Sequence, residues 1–196
     1  MANRIANRLP LKVHEKIVSA PVCDSETYVN QLKQEFPRLR LISKTEHPFS
    51  RLCHGLLCVL SLGCMRTYLS SVTTTLGRCI YVPTSWSALH DVQKYMILRH
   101  EAVHLRQFAR YGFVLMAFLY VLPFFPVGLA WGRAYLEREA YLESLRVAVE
   151  VYGKERVKSS KIIDSFVAQF CSATYLWMWP FPRHVRSWFE RELESL

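Results

Sequence analysis

Residues 96–108 read Met-Ile-Leu-Arg-His-Glu-Ala-Val-His-Leu-Arg-Gln-Phe, a segment in which apolar residues recur at helical spacing. The same spacing extends upstream, where Thr84 or Ser87 can cap a first turn, and downstream to about Arg110. The apolar positions of this face are Leu89, Val92, Met96, Ile97, Val103 and Phe108. The pattern predicts one long amphipathic helix near the middle of the chain.

The predicted helix carries the pattern His-Glu-x-x-His at His100, Glu101 and His104. Histidines four residues apart lie on one face of a helix, so both imidazoles can bind one zinc ion. Glu101 lies beside them, where its carboxylate can reach a water on the metal. The pattern predicts a Zn²⁺ site with His100 and His104 as ligands and Glu101 as the catalytic residue.

A catalytic zinc ion usually takes three protein ligands and a water, so a third ligand is expected downstream. Glu137 and Glu139 are the candidates, in a segment with helical spacing. The helical face through Glu137 is otherwise apolar, whereas the face through Glu139 carries further charged residues. A carboxylate alone on an apolar face needs a compensating partner, and a divalent cation is one. The pattern favours Glu137 as the metal ligand, with Glu139 as the alternative.

The segments around the long helix predict a small sheet and more helices. Upstream, the pattern predicts a short helix at Glu26–Glu35, a strand at residues 39–42 and a β-hairpin at residues 67–82 that turns at Leu76-Gly77. Downstream, it predicts amphipathic helices at about Arg133–Tyr152, Glu155–Thr174 and Pro182 to the C-terminus. The expected fold is α+β, mainly helical, with the hairpin beside the long helix.

The composition is that of a folded protein. Of the 196 residues, 51% are hydrophobic and 21% charged, which excludes a disordered or fibrous chain and favours a single domain over residues 1–196. Residues 1–27 lack periodicity and predict an extended arm. The six cysteines have no Cys-x-x-Cys spacing, which argues against a zinc finger. The N-terminus lacks the apolar segment of a signal peptide, so a cytoplasmic protein is expected.

The net charge of +9 is spread along the chain without a dense Lys/Arg run. This favours an anionic lipid surface or an acidic partner over nucleic acid. Residues 111–131 form an uncharged run of 21 residues, close to the length of about 20 that a membrane span needs. A single crossing would separate His104 from Glu137 by about 30 Å, whereas zinc–ligand bonds are about 2 Å long.

Pro123 and Pro126 can turn the chain back, so residues 111–131 are expected to form an apolar hairpin insertion rather than a span. The uncharged run Leu52–Met65 is too short to cross a bilayer. Peripheral membrane contact and a fully soluble protein both stay open as alternatives. A membrane-spanning protein in which the zinc pattern is fortuitous is a third.

The pattern His-Glu-x-x-His, followed 33 residues after His104 by Glu137-x-x-Ala140, resembles the gluzincin zinc metallopeptidases. The segment 136–141 is similar to the third-ligand helix of the M48 group and of small bacterial minigluzincins, where the ligating Glu stands three residues before the Ala. Tyr141 departs from the Asp usual in the M48 group. The hairpin at residues 71–83 also resembles the strand region above the active-site helix. The resemblance covers about residues 66–152 and implies a zincin-like fold with Glu137 as ligand.

The ligand set predicts peptide-bond hydrolysis by a metal-activated water with Glu101 as general base. The gluzincin pattern implies an oxyanion donor from the C-terminal half, for which Tyr175 and His184 are candidates, although ordinary packing explains either residue. Gln107 either supports a ligand or is an ordinary polar helix residue. The expected partner is a peptide or protein substrate. The alternative is a zinc-stabilised, non-catalytic binding or membrane-associated scaffold protein. A purely structural site does not need an acid such as Glu101 beside the open metal position, so Glu101 favours the enzyme.

Overall fold

Helices make up most of the residues that the computed structural model describes, namely 24–44, 72–121, 130–159, 161–172 and 178–196. The helices are α1 (Ser25–Glu35), α2 (Asp91–Val121), α3 (Trp131–Tyr152), α4 (Lys154–Ser159), α5 (Ile162–Cys171) and α6 (Pro182–Ser195). The strands are β1 (Arg40–Ser43), β2 (Thr74–Leu76) and β3 (Cys79–Val82), and a 3₁₀ helix spans Thr84–Ala88. The mainly helical α+β class is therefore confirmed.

Helix α1 begins at Ser25 because Asp24 caps it. The Asp24 carboxylate accepts hydrogen bonds from the backbone N–H groups of Glu26 and Thr27, at 3.0 and 3.2 Å. The predicted helix at residues 26–35 is confirmed. The prediction of an extended arm over residues 1–27 is wrong for its last three residues, which belong to α1 because Asp24 caps the helix. Residues 1–23 lie outside the described residues.

The three strands form one sheet in the order β1-β3-β2. Strand β1 runs parallel to β3, with Leu41 opposite Ile80, and β2 runs antiparallel to β3, with Thr75 opposite Ile80. Gly77 turns the hairpin at φ +59°, a conformation that glycine adopts without strain. The predicted hairpin is confirmed from Thr74 to Val82, and residues 67–71 lie outside the described residues.

Helix α2 exists as predicted and is interrupted at Gly112, close to its predicted end at about Arg110, but its predicted start is wrong. Residues 84–88 form a 3₁₀ helix, and the extended backbone of Leu89 (φ −77°, ψ 142°) separates it from the α-helix, which begins at Asp91. At the other end, the helical segment continues past Arg110 to Val121, with non-helical backbone at Gly112 (φ 73°, ψ 167°). The uncharged residues after Arg110 therefore extend the helix in a new direction.

Helix α2 lies between two hydrophobic clusters. One cluster packs α2 against α1 and the sheet, through Leu32, Leu39, Ile80, Val82, Leu98, Ala102 and Leu105. The other packs its first turns against α3, α5 and α6, and its largest buried members are Tyr141, Leu145, Phe166, Phe170 and Phe189. Since both clusters hold α2, its polar side chains occupy a fixed position between the sheet and α3.

The predicted helix at residues 155–174 is two helices, α4 and α5. The buried residue of α4 is Val157, and the first buried residue of α5 is Ile162. Between them, the backbone of Lys161 (φ −80°, ψ 17°) departs from the helical conformation, so α5 begins as a separate helix. Helix α6 is confirmed, with Pro182 at its first position, where the missing N–H costs no hydrogen bond.

The second part of α2 and the beginning of α3 lie against each other. A Cβ built on Gly132 would lie 2.7 Å from the Leu119 carbonyl oxygen. Two apolar segments lie outside the described residues. They are residues 122–129, which include Pro123 and Pro126, and the run Leu52–Met65. Among the helices that the structure describes, none is both long and apolar enough to cross a membrane.

Gly132→Ala is expected to lower the free energy of unfolding by about 1–3 kcal/mol, the usual cost of overpacking. Helix propensity alone predicts the opposite sign, because Ala stabilises a helix interior by about 1 kcal/mol relative to Gly. The nearest atom is the Leu119 carbonyl oxygen, which belongs to the backbone, so a side-chain rotation cannot relieve this contact. Urea unfolding of both proteins measures the difference. An unchanged or higher stability would contradict this close approach.

Candidate metal centre

Three buried side chains from two helices meet at one point. His100 and His104 come from α2 and Glu137 from α3, and their candidate ligand atoms all lie within 4.8 Å of one another. Each residue is at most 5% exposed. Buried, closely spaced histidine and carboxylate groups form a site that could hold a metal ion.

The packing of α3 selects Glu137 rather than Glu139. Glu137 lies on the buried face of α3, with Ala134 and Tyr141 one turn away, whereas Glu139 is exposed. The apolar-face argument from the sequence therefore places Glu137 correctly beside both histidines. Glu139 does not join the group of candidate ligands.

The distances within the group fit a metal better than hydrogen bonds. His100 Nε2 lies 3.6 Å from Glu137 Oε2, and His104 Nε2 lies 3.8 Å from Glu137 Oε1. Both separations exceed hydrogen-bond length and are near the roughly 3.4 Å between ligand atoms on a tetrahedral zinc ion. His100 Nε2 and Glu137 Oε2 are buried with no hydrogen-bond partner among the described residues. A metal ion between these two atoms would give each of them a partner.

Hydrogen bonds fix which nitrogen of His100 faces the group. His100 Nδ1 lies 3.0 Å from Ser144 Oγ, and Ser144 Oγ donates its only hydrogen to the Ala140 carbonyl at 3.1 Å. Ser144 must therefore accept from His100, which places the proton of a neutral imidazole on Nδ1. The lone pair on Nε2 is left for a metal.

Gln107 fixes His104 in the same way. The Gln107 amide donates to the Leu136 carbonyl at 3.0 Å and to Glu139 Oε2 at 2.8 Å. These two bonds direct the amide oxygen to His104 Nδ1, 2.9 Å away, which must then donate. Gln107 thus positions His104 Nε2 toward the group, and Glu139 in turn positions Gln107.

The charge of Glu137 is stabilised within the group. Burial raises the pKa of its carboxyl group, but the imidazoles of His104 and His100 and the Tyr120 hydroxyl more than offset burial, so the pKa lies below the ordinary value. Glu137 is therefore a carboxylate, the form that binds cations. Burial is also the main reason that the pKa of nearby Arg133 is lowered.

Tyr120 is a site residue that the sequence did not reveal. Its hydroxyl donates to Glu137 Oε1 at 2.7 Å, and its ring lies 6.2 Å from the His104 ring. Burial, followed by the Glu137 charge, raises the pKa of Tyr120 well above its usual value, so the phenol keeps its proton and can donate. By holding Oε1, Tyr120 leaves Oε2 as the carboxylate oxygen without a partner among the described residues.

Glu101 is buried on the side of α2 that faces the hairpin. Thr75 Oγ1, from β2, donates to Glu101 Oε2 at 2.7 Å. This contact connects the hairpin to the helix that carries both histidines. It holds Oε2 of the Glu101 carboxylate.

Of the two candidate oxyanion donors, the structure describes His184, which does not join the group. His184 is exposed, accepts a hydrogen bond from Trp179 Nε1 at 3.1 Å and packs 4.7 Å from the Trp188 ring. Tyr175 lies outside the described residues.

The chain was compared with protein-family models, curated proteins and solved structures, and none of them matches it.

Proposed function

We propose that the chain is a zinc-dependent peptidase of gluzincin type with a zincin-like fold. The observation that carries the proposal is the buried group of His100, His104 and Glu137, with Glu101 adjacent in sequence and held by Thr75. Two imidazoles and one carboxylate match the three protein ligands of catalytic zinc sites. Structural zinc sites use four protein ligands, so a set of three among the described residues favours a catalytic role.

A zinc ion held by His100 Nε2, His104 Nε2 and Glu137 would acidify a water molecule and polarise a substrate carbonyl. Glu101 accepts the proton of the attacking water through the oxygen that Thr75 does not hold. The water oxygen bonds to the carbonyl carbon, the C–N bond breaks, and Glu101 returns the proton to the leaving nitrogen. Peptide and water become an acid and an amine without any other reactant.

The surrounding side chains hold this geometry. Ser144 and Gln107 fix the two histidine tautomers, and Tyr120 holds one oxygen of Glu137. Because all three contacts are already formed, little reorganisation accompanies metal binding. Tyr120 donates its single phenol hydrogen to Glu137, so its role is to position that carboxylate.

The test is cleavage of a broad peptide library followed by mass spectrometry. We expect the zinc-loaded chain to cleave a subset of peptides, a chelator to stop cleavage, and zinc to restore it. Magnesium is the control ion and should not restore activity, because it prefers oxygen ligands. If zinc binds and raises the melting temperature while no peptide is cleaved, the non-catalytic scaffold replaces the peptidase proposal.

A further inference from the structure

Six large apolar residues near the candidate metal centre are exposed to solvent. They are Phe113, Val114, Leu115, Phe118, Trp131 and Tyr135, with exposed fractions between 44% and 82%. We call them the apolar surface. Four belong to the short part of α2 after Gly112, and two belong to the first turns of α3. Several adjacent exposed apolar side chains indicate an interaction site, whereas single ones do not.

The two parts of the apolar surface are continuous. The close approach of Leu119 to Gly132 brings the end of α2 against the beginning of α3. On α3, the Trp131 and Tyr135 rings stack at 5.6 Å.

Arginines lie at the edge of this surface. The Arg110 guanidinium is exposed and lies 5.8 Å from the Tyr111 ring centre. Exposed Arg38 and Arg78 line a groove of about 820 Å³ whose wall includes Phe113. The acidic residue of this groove, Glu35, forms an ion pair with Arg106. Glu139 also lies near Arg110 and Tyr135, but arginines outnumber carboxylates among the described residues at this edge, so the apolar surface has a mainly cationic rim.

We propose that the apolar surface binds peripherally to an anionic lipid bilayer. Lipid tails would receive the apolar side chains, the rings of Trp131 and Tyr135 suit the headgroup boundary, and the arginines would face anionic headgroups. A second copy of the chain is a poorer occupant, because each copy carries the same cationic rim and a net charge of +9.

Membrane binding would place the candidate metal centre close to the lipid. Tyr120, whose hydroxyl contacts Glu137, lies two residues after Phe118 on the same helix. Lipid binding through the apolar surface does not require that the metal centre be catalytic. The peptidase proposal and this one can therefore fail separately.

The experiment is co-sedimentation of the full chain with vesicles. We expect binding to equimolar phosphatidylserine and phosphatidylcholine, weaker binding to phosphatidylcholine alone, and loss of binding as salt is raised. The double variant Val114→Glu, Phe118→Glu should bind at least about tenfold more weakly. The matched control is Phe181→Glu, Leu196→Glu, two apolar residues that are 50% and 44% exposed elsewhere on the chain. It makes the same charge change and should bind like the wild type.

Arg110→Gln provides a second variant that leaves the apolar side chains intact. It should weaken binding to the anionic vesicles about fivefold, the equivalent of about 1 kcal/mol for one arginine near such a surface. Absence of wild-type binding to the anionic vesicles would overturn the proposal, as would equal binding by the two double variants. A lipid-free dimer that only Val114→Glu, Phe118→Glu dissociates would assign the surface to a second copy instead.

Discussion

Glu101→Gln is expected to lower kcat by about 10²–10⁴-fold while the zinc content stays unchanged, since general-base catalysis contributes a factor of this size. Glutamine keeps the volume of the side chain, and its amide oxygen can still accept the hydrogen bond from Thr75. It cannot take a proton from water. The proposed metal ligands His100, His104 and Glu137 are untouched, so binding and turnover should separate.

The measurement pairs kcat on one cleaved peptide with elemental analysis of the same protein sample. The control is Glu155→Gln, an exposed glutamate of α4 that makes the same chemical change away from the centre. It should leave both quantities unchanged. Equal turnover by wild type and Glu101→Gln would remove Glu101 from the mechanism. Loss of zinc in Glu101→Gln would mean that Glu101 binds the metal instead.

The sequence predicted those parts of the fold that periodic burial determines. The spacing of Met96, Ile97 and Val103 identifies a helix because that helix buries apolar residues against neighbours on more than one side. Its start, and the second helical segment after Gly112, were not predictable in this way. Leu89 supplies an apolar position in phase with the helix but has extended backbone, and the change of direction at Gly112 depends on backbone conformation rather than on hydrophobicity.

In the candidate site, too, local sequence patterns identify some residues and miss others. His100 and His104 follow from spacing within one helix, and Glu137 follows from being a lone carboxylate on an apolar face. Tyr120 lies in an uncharged run where tyrosine is one apolar side chain among many. Its contact with Glu137 depends on the packing of the end of α2 against α3, which no local pattern encodes.

Gln107 and Ser144 show what spacing alone can suggest but not decide. Gln107 lies near the turn of His104 on the same helix, which is compatible with either a supporting role or an ordinary polar position. The contacts with α3 show that Gln107 has the supporting role. Its two amide hydrogens are donated to Leu136 and Glu139, so its amide oxygen faces His104. Ser144 is likewise recognised only by its contact with His100 across the two helices.

Glu137→Ala is expected to reduce the zinc content from about one ion per chain to a level near zero at micromolar protein, because it removes one of three ligands. Glu137→Gln is the companion variant. It keeps the volume of a buried side chain and can keep the hydrogen bond from Tyr120, so it tests the charge without opening a cavity. Both variants should lose zinc, and circular dichroism shows whether each remains folded.

Glu139→Ala distinguishes a ligand from a supporting residue. Glu139 accepts from Gln107 and does not contact the imidazoles, so its loss should leave zinc bound with an affinity about 10–100-fold lower, as for other residues that orient a ligand. Competition with a zinc-binding dye measures the affinities. Retention of zinc in both Glu137 variants together with its loss in Glu139→Ala would reverse the assignment. Because the two glutamates lie two residues apart on one helix, such a reversal would require α3 to rotate and expose Tyr141, which is buried beside His100.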